Sequence, residues 1–107
     1  MENKMEYEIK DDVIIVSFYG EIDGYNVIVY RNKLNVVLAI NEMNIIFDFK
    51  HTTFIDSAGI GLVLGRYQQL AKEGRKLSLC NLSPTAYKVF ELSGLFEIME
   101  YLKEAKI

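Results

Sequence analysis

The run Phe54-Ile55-Asp56-Ser57-Ala58-Gly59-Ile60-Gly61-Leu62-Val63-Leu64-Gly65-Arg66-Tyr67 changes its hydrophobic period as it passes through Asp56-Ser57. Just upstream, Ile45 to Phe49 is almost continuously apolar, the pattern of a strand buried on both faces. Downstream, Ile60, Val63, Leu64, Tyr67 and Ala71 recur at helical spacing and mark one face. Asp and Ser are both favoured at a helix N-cap. The pair therefore reads as the turn into a helix that runs from about Ser57 to Lys72. A serine hydroxyl at such a turn can reach solvent. A negative group attached to it lies beside free backbone N–H groups and the positive end of the helix dipole.

The same helix carries Gly59, Gly61 and Gly65, each costing about 1 kcal/mol relative to alanine. Glycines so close together point to something that approaches the backbone, either the protein's own sheet or a partner. Leu62 lies about 200° around the helix from Ile60. That sets it with Gly65, Arg66 and Gln69 on the face expected to turn away from the core. An exposed leucine there is either ordinary surface or an anchor for a partner.

The chain has 107 residues, half of them hydrophobic, with one proline and a formal charge of −3. This is enough for one domain with a core and too few for two. The acidic balance and the absence of any Lys/Arg cluster argue against direct binding of nucleic acid. Apolar runs such as Val13–Val16 fall far short of the roughly 18 residues that span a bilayer. The polar start Met1-Glu2-Asn3-Lys4-Met5-Glu6 lacks the apolar segment of a signal peptide, so a cytoplasmic protein without membrane partners is expected. Cys80, the sole cysteine, sits in an apolar run and reads as a buried small hydrophobe. His51 is the sole histidine and follows a strand in a Lys50-His51-Thr52-Thr53 loop, a poor basis for a metal site or a Ser–His couple.

Tyr7–Ile9 and Val13–Tyr19 read as strands of an antiparallel hairpin turned at Asp11-Asp12. Gly20-Glu21-Ile22-Asp23-Gly24 ends the second strand, and Asp23 is a candidate N-cap for a helix over Tyr25 to Asn41. Val27, Tyr30, Leu34, Val37 and Leu38 form its inner face. Ile28, Val29, Val36 and Ile40 lie off that face and predict an unusually apolar outer surface. Ile45–Phe49 and Leu77–Cys80 are the third and fourth strands, and Gly74 ends the glycine-bearing helix. Ser83-Pro84 opens a helix with Tyr87, Phe90 and Leu92 that stops at Ser93-Gly94. Leu95–Leu102 fits either a short strand or a helical turn. The pattern is a small α/β domain: a mixed, mainly parallel sheet with an N-terminal antiparallel hairpin and helices packed on it. Ligands and partners of such sheets meet the C-terminal strand ends, where Asp23, Asp56 and Ser57 should gather.

Four segments, Gly20–Asp23, Phe54–Gly61, Leu64–Tyr67 and Phe90–Phe96, resemble in order and spacing the STAS domain (sulfate transporter and anti-sigma antagonist). Within that family the likeness is greatest to the anti-sigma-F factor antagonists of spore-forming bacteria, and it covers nearly the whole chain. The resemblance implies a single STAS domain over residues 1–107. It implies a transcription and sporulation regulator that is not an enzyme and needs no cofactor or metal. In the family the serine after the aspartate is phosphorylated by an anti-sigma factor that is itself a serine kinase, and a metal-dependent serine phosphatase reverses the modification. The unmodified antagonist binds the kinase and frees the sigma factor. Carried over, Ser57 is the phosphorylation site, with Asp56 beside it and Asp23 from the neighbouring turn. Together with the helix face expected to turn outward, Asp23, Asp56, Ser57, Ala58, Gly59, Gly61, Leu62, Gly65 and Arg66 make up the expected partner-binding surface. The family often has a second serine where this chain has Ala58, which removes the neighbouring hydroxyl. Other readings are an antagonist or sensor subunit in a general stress cascade, or a small-ligand or nucleotide module. The last would use the Ser57 helix start as an anion site, although the lysine and glycine spacing of a phosphate-binding loop is missing.

Overall fold

Turn chemistry at Asp11 begins the fold. Its φ of 53° is left-handed, a conformation that aspartate tolerates better than most residues. The chain reverses there, so that β1 (Lys4–Lys10) pairs antiparallel with β2 (Val13–Ile22), in register from Lys4 opposite Tyr19 to Lys10 opposite Val13. The computed structural model describes residues 2–103.

β2 is longer than its sequence suggests because it serves two parallel neighbours in turn. Val13–Ser17 pair with β3 (Asn44–Asp48), and Gly20–Ile22 pair with β4 (Thr52–Ile55), with a register shift between Gly20 and Glu21. β4 occupies what the sequence presents as the end of a loop. Its Thr53 and Phe54 are exposed, so no apolar alternation announces it. Backbone pairing and the Thr52 hydroxyl, which donates to the Phe18 carbonyl at 2.8 Å, hold it in place. Gly20 makes the shift possible. It has φ +81°, and a Cβ there would lie 2.1 Å from Asn3 Oδ1, which accepts from the Glu21 N–H.

α1 (Asn26–Ile40), α2 (Ser57–Lys72) and α3 (Pro84–Leu92) connect the parallel strands, with β5 (Leu77–Cys80) between α2 and α3. Ser83 Oγ accepts from the Ala86 N–H, and Pro84 opens α3, as the Ser-Pro pair predicts. Residues 95–102 contain both alternatives that the sequence leaves open: a 3-10 turn over Leu95–Glu97, then β6 (Glu100–Leu102) parallel to β5. The strand order is β1-β2-β3-β5-β6, with β4 beside β2.

One sheet face carries the helices. Ile14, Val16, Phe18, Ile45, Phe47, Leu77 and Leu79 join the buried side chains of α1, α2 and α3 in one core. The alternate residues Ile15, Ile46 and Cys80 form a small cluster on the other face. Burial pushes the Cys80 thiol up to about 12, reinforced by the charge of Asp48 and a hydrogen bond with it. Arg75, just after α2, closes the other end of α1. Its guanidinium donates to the carbonyl of Leu38 in the last turn, which the helix terminus leaves without an intrahelical partner, and to those of Asn41 and Met43 in the segment that follows. Among the described residues no helix is long and apolar enough to cross a membrane.

Candidate functional site

The C-terminal ends of β2 and β4 lie side by side and deliver two aspartates to one edge of the sheet. Asp56 leaves β4 in extended conformation and caps α2: Oδ1 accepts from the N–H groups of Ala58 at 2.8 Å and Gly59 at 3.0 Å. Its second oxygen accepts from the Gly24 N–H at 3.2 Å, across the gap to the turn that follows β2. Asp23 caps the opposite helix start, Oδ1 accepting from Tyr25 at 3.0 Å and Asn26 at 2.9 Å. Both carboxylates are thus held by backbone donors, which fixes their charge in place. Ser57 is the first residue of α2 and is exposed. The expected gathering of Asp23, Asp56 and Ser57 is present.

Beneath this edge, the Tyr30 hydroxyl is buried without a hydrogen-bond partner. Burial raises its pKa, and the charge of Asp23 adds to the effect. Ala58 is half-buried and faces the turn, 3.9 Å from where a Cβ on Gly24 would stand. Gly24 is the site residue that sequence reasoning passed over. Its only signal is its place directly after Asp23.

The three glycines of α2 separate into two kinds. Gly59 is buried, and a Cβ on it would lie 2.6 Å from the Ile22 carbonyl oxygen and 2.7 Å from Ile55 Cγ2. It serves the helix–sheet approach inside the protein rather than presenting a surface to a partner. Gly61 and Gly65 are exposed, and a Cβ on either would meet nothing within 4 Å. They open a groove of about 220 Å³ against α1, lined also by Arg31, Asn35 and Gln69.

Leu62 and Arg66 correct the expected helix phase. Leu62 is 3% exposed and part of the main core, and Arg66 is 4% exposed. The residues α2 buries are Gly59, Leu62, Val63, Arg66 and Leu70, whereas Ile60, Leu64 and Tyr67 are half-buried and Ala71 is exposed. The reason is lateral. α1 packs along the flank of α2, so the helix has a neighbour beside it as well as a sheet below. Arg66 spans that helix–helix contact: Nη1 donates to Asn35 Oδ1 and Gln69 Oε1, each at 3.0 Å, and Nη2 to the Arg31 carbonyl at 3.3 Å. Burial lowers its pKa, and the charge of Arg31 lowers it further while Glu73 offsets part of the shift.

His51 stands in the turn before β4 and stacks on Tyr19 with ring centroids 4.7 Å apart. Among the described residues no three His, Cys, Asp or Glu side chains converge as metal ligands.

The STAS domain family matches residues 4–106. This chain belongs to the STAS domain family. It is 30% identical to the anti-sigma F factor antagonist of Paenibacillus polymyxa over 92% of the chain and 86% of that protein. It is 32% identical to the anti-sigma-B factor antagonist of Bacillus subtilis (strain 168), covering 94% of the chain and 91% of that relative. The solved structures of the anti-sigma factor antagonist SpoIIAA superpose on the STAS fold seen here in both chemical states. The unphosphorylated form has a TM-score of 0.76 at 29% identity, over 95% of this chain and 90% of that one. The phosphorylated form, from Bacillus, has a TM-score of 0.73 at 33% identity, over 96% and 93%.

Proposed function

We propose that this STAS protein is an anti-sigma factor antagonist whose unphosphorylated form binds an anti-sigma serine kinase, and that phosphorylation of Ser57 ends the interaction. The observation that carries the reading is an exposed hydroxyl at the first position of α2, at the sheet edge where Asp23 and Asp56 are held by backbone donors. The relatives, antagonists of anti-sigma factors by name, support the same class of partner. The restoring partner in this reading is a serine phosphatase acting on phospho-Ser57, and the pathway is sporulation or a related sigma cascade.

Physical chemistry favours a switch at the surface over a change of fold. A phosphoserine carries about −1.5 to −2 charges at pH 7. At a helix N-terminus the dipole favours that charge by about 0.3–1 kcal/mol, so α2 has no cause to melt. In water, repulsion from the neighbouring carboxylates is screened. Against a docked partner the same charges lose their water, and unpaired buried charge costs several kcal/mol. The likeness of the fold to SpoIIAA in both states accords with a local switch. The docking surface in this reading is Ser57 with Ala58, the Asp23–Gly24 turn and the backbone of Gly61 and Gly65. Leu62 and Arg66 support it from beneath.

The decisive test is phosphopeptide mapping after incubation with the kinase and ATP. A single phosphate on Ser57 is expected, and phosphate on Thr52, Thr53 or Ser83 instead overturns the assignment. Ser57→Asp should weaken kinase binding by about tenfold or more, as expected when uncompensated charge enters an interface. Ser57→Ala should bind and resist inactivation. In amide NMR, phosphorylation should shift residues around Asp23 and Asp56–Leu62 and leave the rest of the sheet unmoved.

A further inference from the structure

We propose that β1 is a self-association edge, through which two copies of this chain pair antiparallel about Glu8 to form one continuous sheet. β1 has β2 on one side and, among the described residues, no strand on the other. Its residues divide cleanly by face. Lys4, Glu6, Glu8 and Lys10 alternate with Met5, Tyr7 and Ile9, and the latter pair with Phe18, Val16 and Ile14 of the helix-bearing core face. Tyr7 and Ile9 nevertheless remain 50% and 43% exposed, although they lie on the side where core is being built.

Charge selects the partner and the register. Free sheet edges are usually blunted by charge against pairing, but here the charges are complementary to themselves. Keeping the apolar face continuous requires odd residues to oppose odd and even to oppose even. Full overlap centred on Tyr7 sets Lys4 against Lys10 and Glu6 against Glu8, like against like, which destabilises a pair. Centring on Glu6 sets Lys4 against Glu8 twice but leaves Ile9, 43% exposed, opposite Asn3 outside the strand, whereas centring on Glu8 leaves outside it only Lys4 and Met5, and Met5 is already buried. Centring on Glu8 sets Glu6 against Lys10 twice and Tyr7 against Ile9 twice, opposed by a single Glu8–Glu8 pair. Within each chain the Lys4–Glu6 and Lys10–Glu8 contacts, at 3.9 and 4.0 Å, are exposed and loose, so exchanging them across a dimer axis costs little.

The neighbouring helix points the same way. At about 100° per residue, Val29, Val36 and Ile40 of α1 fall within about 40° of one another. They lie about 140° around the helix from Arg31 and Asn35, the residues that meet α2. α1 packs on β2 and α2 on β5, so this exposed apolar flank, turned away from α2, lies on the side of the molecule where β1 follows β2 in the sheet. A two-fold pairing of β1 edges would set two such flanks on either side of a floor made by Tyr7 and Ile9 of both copies.

Sedimentation equilibrium of the unphosphorylated full chain, from micromolar to submillimolar concentration, tests the proposal. A concentration-dependent dimer is expected. Glu6→Lys alone and Lys10→Glu alone should each weaken it by about fivefold or more, because each creates two like-charge pairs. The double variant Glu6→Lys with Lys10→Glu should recover it, since opposite charges face each other again. Thermal melting of each variant distinguishes lost pairing from lost fold. A monomer across the whole range, or a dimer indifferent to these exchanges, overturns the proposal.

Discussion

Asp56 holds three backbone N–H groups with one carboxylate, two in its own helix and one in the turn after β2. Replacing it by alanine should cost about 1–2 kcal/mol, the range for a lost cap. Chemical denaturation should show it as a lower midpoint with an unchanged slope. Asp56→Asn retains an acceptor and should cost less. The glycines give a sharper contrast. Gly59→Ala should destabilise by about 1–3 kcal/mol, because the clash is with the Ile22 carbonyl, and a backbone atom cannot swing aside. Gly61→Ala and Gly65→Ala enter open space and should each stabilise by roughly 0.5–1 kcal/mol through helix propensity. If their bare backbone receives the kinase, the same two variants should melt higher and bind worse. Melting and binding measured on one preparation separate the two effects.

Among the elements, α1 is held at its flank and at its end by residues far from it in the chain. Its start is capped by the nearby Asp23, but its flank is tied by Arg66 of α2 and its final turn meets Arg75. The Arg75 side chain is only 9% exposed, so these bonds are mostly shielded from water. Arg75→Met keeps much of the apolar stem but leaves the carbonyls of Leu38, Asn41 and Met43 without this donor. We expect a loss of about 2–3 kcal/mol, the scale of hydrogen bonds to a charged group. Hydrogen exchange should show faster opening at the C-terminal turn of α1, with the amides of β3 and β5 less affected. Uniform acceleration through the whole chain would show instead that the clamp guards global unfolding.

For the molecule as a whole, Cys80 gives a titration of the fold itself. Its thiol is pushed up to about 12 in the folded state by burial and by Asp48. The unfolded chain releases this proton near its ordinary value of about 8.5. Above that pH the unfolded state binds fewer protons than the folded one, so stability must fall as pH rises. The contribution is whole below the unfolded value and is lost progressively toward 12. Unfolding free energy measured from neutral pH upward should decline faster for the natural chain than for Cys80→Ala, whose baseline stability will be lower from the missing sulfur. Equal slopes would mean that other groups control alkaline unfolding. A thiol reagent should modify Cys80 only as fast as the sheet opens.

Local chemistry decided a large part of this protein from sequence alone. The strand-to-helix turn at Asp56-Ser57, the capping role of Asp23, the Ser83-Pro84 helix start and the greasy outside of α1 all follow from side chains acting within a few residues of themselves. What stayed hidden depended on neighbours remote in the chain. β4 exists because the second half of β2 is free to pair, and its exposed threonine and phenylalanine carry no period of their own. Arg75 finds its carbonyls only where the end of α1 and the start of β5 converge. A helical wheel misplaces Leu62 and Arg66 because it yields a single inward direction. A helix lying on a sheet with a second helix beside it buries two directions, and only the packing of α1 against α2 reveals the second.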